Sequence, residues 1–160
     1  MQEFFSEYKV IIVFLHVLSG VIWVGGMVAM RYAAHPSFLE IESPIKRLER
    51  IADALKRLFY IVLPFVIVLF ITAFIMIKGY SLSESEFKTL GLLKVTIWSV
   101  MFVNLLVMLY RRDRAQKAIE DGRVVDAKKK LEMIGKYMVP LNIALGVIAI
   151  FLGSTLSSVL

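Results

Sequence analysis

Cysteine is absent from the 160 residues, which excludes disulfides, thiolate metal sites and thiol catalysis. Charge is scarce at 20% of residues, below the quarter or so of ordinary soluble domains. Histidine occurs only twice, as His16 and His35. No glycine-rich phosphate loop, His-Glu-x-x-His helix or nucleophile elbow is present, and there is no internal repeat or low-complexity tract. What the chain has in excess is apolar surface: 59% of residues are hydrophobic, against about half in soluble folds, and mean hydropathy is +0.76. These residues gather into runs of roughly 20, the length a helix needs to cross a hydrocarbon core of about 30 Å. The expected class is an all-α integral membrane protein.

Four spans qualify, at about Val10 to Met30, Leu58 to Lys78, Leu90 to Tyr110 and Met138 to Val159, and they predict one antiparallel four-helix bundle. Glu3 and Glu7 stand where a signal peptide would carry basic residues, so the first span is expected to stay in the mature protein. Fifteen of the 19 basic residues fall in the connections between spans one and two and between spans three and four. The positive-inside rule then predicts two cytoplasmic connections, both termini outside, and a bacterial-type cytoplasmic membrane. The formal charge of +6 thus reads as topology and contact with anionic lipid headgroups, with no nucleic-acid partner implied. Both connections are expected to be helical. Ser43 and Pro44 form a cap and first-turn pair before Ile45, Leu48, Ile51 and Leu55, while Gly122 breaks a polar helix that restarts near Asp126. Pro36 is expected to stop the first helix.

Strongly polar groups at membrane depth are costly, so they mark candidate function. No carboxylate lies within the four spans, which argues against an acidic proton relay. Span one carries His16, about 9 Å below Val10 at 1.5 Å per residue, and Ser19, Gly20, Trp23, Met27 and Met30 follow on the same face. Lys94 enters span three from the same side. Thr72, Ser154 and Thr155 reach similar depth, so all four helices are expected to aim polar groups at one layer. In the other half, Asn104 and Asn142 are expected to hydrogen-bond across the bundle.

A helical histidine is commonly a packing residue, but hydrocarbon makes an unpaired imidazole expensive. Haem b needs an imidazole on iron, an apolar slot, and cations or hydroxyls for its propionates. His16, the surface opened by Gly20, Gly25 and Gly26, and Lys94 match those needs, with Trp23 and Trp98 as packing or stacking groups. His35 lies 19 residues from His16, about 28 Å along one helix, so the two cannot clasp one haem within a chain. It reads as an interfacial residue or as the ligand of a second haem. Copper is the rival, because thioethers suit Cu(I) and Met27 and Met30 lie close together. Lys94 has its own plain reading, a stem that carries its amine to the interface. A non-chemical reading also stands, a scaffold or homodimer packed through Gly25, Ala29 and Ala33.

The run His16-Val-Leu-Ser-Gly-Val-Ile-Trp23-Val-Gly25-Gly26, followed by Arg31 and His35, resembles the first helix of the HemJ and CopD-type group of small membrane proteins. Gly91-Leu-Leu-Lys94, its apolar run and Tyr110-Arg111-Arg112 are similar to the HemJ third helix. The resemblance covers spans one and three, under half of the chain. It implies haem b on His16, with Lys94 as partner to cofactor or substrate, and protoporphyrinogen oxidation; a haem-binding protein that passes electrons to a redox partner within the membrane is the competing reading. The Gly25-Gly26 pair is closer to the CopD branch, which implies copper uptake. The chain departs from HemJ in a shorter Arg31 to His35 spacing and in Lys136-Tyr-Met-Val-Pro140, which replaces an Asn-Glu-x-Pro stretch.

Overall fold

The computed structural model describes residues 2–81 and 87–157; Glu84, Glu86 and the last residues of the fourth span lie outside the described residues. Four helices account for nearly all of it: α1 (Gln2–Leu39), α2 (Pro44–Gly79), α3 (Lys88–Glu120) and α4 (Val124–Ser157). Each has an apolar stretch long enough to cross a membrane. Each is also longer than a crossing requires: 33 to 38 residues correspond to about 50 Å or more at 1.5 Å per residue, against a core of about 30 Å. In α2, α3 and α4 the excess lies mostly at the end holding the two interhelical turns near residues 40–43 and 121–123, here the charged end, while α1 overhangs its span at both ends. The opposite end holds both chain termini.

Spacing explains the bundle. Buried α2 residues recur as Leu48, Ala52, Leu55, Phe59, Val62 and Val66, alternating steps of four and three. In α3, Ile97, Met101, Leu105, Met108, Arg112 and Ala115 follow nearly the same rhythm. Such a stripe keeps one face turned to its neighbours along the whole helix. Helix α1 packs most extensively on α2 and also on α4, while α3 packs on α2 and α4, so the helices form a ring in chain order. Large apolar side chains on the other faces remain outward, Val10 83% and Phe151 70% exposed, as a lipid-facing surface requires.

The sequence signals at the helix ends hold. Ser43 Oγ accepts from the Lys46 N–H at 3.5 Å, and Pro44 follows in the first turn. Gly122 takes φ +72 between α3 and α4, a conformation glycine adopts without penalty. Pro36, by contrast, does not end α1. Residues Met30–Ala34 form a π turn in which the His35 N–H bonds to the Met30 carbonyl, five residues back, and the helix continues to Leu39. The same device precedes Pro140: Ile134–Met138 is a π turn closed by the Val139 N–H on the Ile134 carbonyl. A proline ring clashes with the carbonyl four residues earlier in a regular helix, and a wider turn just upstream relieves it.

Polar groups tie the ring together. Asn104 Nδ2 donates to Asn142 Oδ1 at 2.7 Å and to the Met138 carbonyl at 2.8 Å, and Asn142 Nδ2 donates to the Met101 carbonyl at 3.2 Å. The expected amide contact across the bundle is therefore present. Arg112, 8% exposed, donates from Nε to the Ala52 carbonyl at 2.9 Å and fastens α3 to α2 near the charged end. Helices α1 and α4 approach where Gly146 faces Val24. A Cβ on Gly146 would lie 2.4 Å from Val24 Cγ2, whereas one on Gly25 would meet nothing within 4 Å. Valine has little rotamer freedom with which to yield. Gly146→Ala should therefore cost about 1–3 kcal/mol through overpacking. Gly25→Ala should gain about 0.5–1 kcal/mol by removing a helix-interior glycine. Thermal unfolding of the two variants in detergent, followed by circular dichroism, checks the opposite signs.

Candidate functional site

The layer near the terminal end is built by α1, α2 and α3, with a glycine from α4. His16 on α1 meets Thr72 on α2, Nδ1 to Oγ1 3.0 Å. Thr72 is 4% exposed, and its hydroxyl already donates to backbone, the Val68 carbonyl lying at 2.7 Å and the Leu69 carbonyl at 3.1 Å. A hydroxyl has one hydrogen. With that hydrogen committed to a carbonyl, Thr72 Oγ1 accepts, and His16 Nδ1 carries the proton. The other ring nitrogen, Nε2, is left with its lone pair, the form in which imidazole binds a metal. A second atom holding Nδ1–H is the usual means of fixing such a ligand.

Lys94 of α3 lies close enough for its charge to act on the His16 ring. Its ammonium rests over α4 at Gly153, with Nζ 2.9 Å from where a Cβ on that glycine would stand. Gly153 thus leaves the space that the amine occupies. No carboxylate pairs with Lys94 among the described residues. Ser154 and Thr155, expected to supply the α4 polar groups of this layer, are both exposed on the outer side of the helix. Hydropathy and depth could not separate them from Gly153, because the rotation of α4 against its neighbours decides which residue faces inward.

The remaining candidates are divided between this layer and the core. Ser19, on the His16 face, is buried and donates to the Leu15 carbonyl at 2.7 Å. A Cβ on Gly20 would touch nothing within 4 Å, so the surface one turn from His16 is open. Trp23 is 1% exposed, and Trp98 stacks on Phe102 with centroids 5.0 Å apart and leans on Phe70 at 5.1 Å. Neither is an interfacial belt residue. Their indole Nε1 atoms are both buried without an acceptor among the described residues. Met27, Met101, Met108 and Met138 all belong to the apolar core.

His35 stands apart, beyond the first π turn, with Nε2 3.9 Å from the position of a Cβ on Gly135 of α4. Helix α1 itself separates it from His16. Among the described residues, no group of three or more His, Asp or Glu side chains converges as a bare-ion site. Two open grooves lie elsewhere, toward the charged end.

No protein-family model, curated protein or solved structure matches this chain.

In ligand-free protein, the nitrogen-15 shifts of His16 should report a protonated Nδ1 and a bare Nε2. Thr72→Val should erase that preference and lower stability by about 1–3 kcal/mol, the cost of a buried donor left without its acceptor. A wild-type ring protonated at Nε2 would refute the assignment.

Proposed function

We propose that the chain is a haem b-binding, multi-pass protein of a bacterial-type cytoplasmic membrane with a redox role. That role is electron transfer to a redox partner or a HemJ-like oxidation of protoporphyrinogen. The observation that carries this reading is the His16 ring, whose Nδ1 lies 3.0 Å from the Thr72 hydroxyl, a contact that favours the tautomer with its lone pair on Nε2. His16 would hold the haem iron through its imidazole, and one such ligand is enough for haem where a bare ion needs several. Lys94, without an acidic partner among the described residues, supplies a cation for a propionate. The unpartnered indole N–H groups of Trp23 and Trp98 add two donors in search of an acceptor. Open space at Gly20 suits the approach of a planar macrocycle. Haem, when bound, supplies a one-electron couple; the chain supplies the ligand, the counter-charge and exclusion of water.

The family resemblance of spans one and three supports the same assignment. The orientation that goes with it has both termini outside and the charged end in the cytoplasm, because most of the basic residues flank the spans there. Copper transport is the second reading, favoured by four methionines within one apolar core.

Absorption spectra of the purified protein, oxidised and dithionite-reduced, separate these readings. Protein from haem-sufficient cells should carry a Soret band that His16→Ala abolishes or shifts and His35→Ala leaves in place. No band in the wild type would overturn the haem assignment, and loss only in His35→Ala would move the ligand to the other end. Complementation of a strain lacking its own protoporphyrinogen oxidase distinguishes enzyme from electron carrier. Under the copper reading, cellular copper accumulation should fall in Met27→Leu with no haem present.

A further inference from the structure

At the charged end, a groove of about 560 Å³ opens between α3 and the first turns of α4. Sites that hold small organic ligands have volumes on the order of 300–1,000 Å³. Its floor is apolar and continuous with the lipid-facing side of α3, where Val103, Val107 and Tyr110 are 58%, 40% and 59% exposed. Above the floor stand Arg111, Arg114 and Lys117 of α3, with Arg123 and Lys130 opposite. The α3 cations are three residues apart in sequence, which places them along one helical face.

The charges of this groove do not cancel. Asp121 and Asp126 are its two carboxylates, and both are committed: Arg123 bonds to them at 2.7 and 2.9 Å, and Lys130 reaches Asp126 as well. Arg114 Nε donates to the Tyr110 hydroxyl at 3.0 Å, which aims the guanidinium while leaving its charge unpaired. The Arg111 and Lys117 side chains have no hydrogen bond or ion pair among the described residues. Five cations against two carboxylates leave a formal excess of three positive charges. The neighbouring groove between α2 and α3 has the opposite balance, with Glu49, Asp53 and Glu120 against Lys56 and Arg112. The positive groove is therefore a local arrangement and not a sample of the chain's net charge.

We propose that the α3–α4 groove is a binding site for an anionic phospholipid, with its phosphate held by Arg111, Arg114 and Lys117 and its acyl chain laid along Val107 and Val103. Guanidinium groups match phosphate oxygens in pairs, and a headgroup at this height meets them where the apolar floor ends. A soluble phosphate would satisfy the cations but leave the apolar floor unused. The site requires the helices to lie in a bilayer and is independent of any haem or copper.

Native mass spectrometry of the full chain in detergent tests the site with dioleoylphosphatidylglycerol and dioleoylphosphatidylcholine as probes. The anionic lipid should be retained in preference. Arg111→Gln combined with Lys117→Gln should weaken its binding about tenfold or more, since each basic residue near a headgroup contributes strongly. Lys46→Gln combined with Arg50→Gln removes the same charge from the start of α2 and should change binding less than twofold. Asp121→Asn removes one of the groove's two negative charges, leaving Arg123 paired with Asp126 alone, and should tighten binding about threefold, a gain that misfolding cannot mimic. Equal loss in both double variants would reduce the effect to diffuse attraction and overturn the site. Displacement of the lipid by equimolar glycerol 3-phosphate would reassign it to soluble phosphates, and weaker binding in Asp121→Asn would refute the charge accounting.

Discussion

Hydrocarbon offers no hydrogen bonds, so every polar group turned into this bundle must find its partner in protein, and the helix arrangement follows from how those partners are found. Asn104 and Asn142 lock α3 to α4 through each other and through two backbone carbonyls. Arg112 does the same between α3 and α2, and the His16–Thr72 contact joins α1 to α2. Apolar packing alone would leave such helices free to rotate against one another, since lipid tails are as apolar as leucine. The few groups that escape the rule are therefore informative. Among the described residues they are the ammonium of Lys94, which has no carboxylate partner, and the indole donors of Trp23 and Trp98, with His16 Nε2 as the ring nitrogen turned away from Thr72.

Much of this architecture was legible in the sequence because hydropathy and helical period act locally. The four spans, the Ser43–Pro44 start, the break at Gly122 and the asparagine pair all follow from residue type and spacing. Three features did not. The helix runs past Pro36 because a wider turn absorbs the proline, and turn width leaves no mark in a hydrophobic pattern. Gly153, and not Ser154 or Thr155, faces Lys94, because that choice is set by the rotation of α4 as it packs. Thr72 was legible as a polar residue at the right depth, but its role in fixing the imidazole tautomer depends on where its single hydrogen points.

The two ends of the molecule meet different physical demands. Near the termini, polar groups are few and each is held or left open individually. Toward the interhelical turns, charge is dense, Asp53, Asp113, Asp121 and Asp126 are paired with neighbouring cations, and what remains is a surface potential shaped by grooves. Between them lies a core of methionine and branched aliphatic side chains, with Gly146 bringing α1 and α4 into close contact.

The π turns separate these two regimes in a further way. By α periodicity from Met27, the next inward position two turns on would be Ala34; the extra residue of the π turn passes that position to His35. One residue corresponds to about 100° of helix rotation. Helices α1 and α4 are each geared at the same boundary, so the angular setting of their outer and inner halves can drift independently during evolution. A one-residue length change inside 30–34 or 134–138 would turn the charged end while leaving His16 and Gly146 facing their present neighbours.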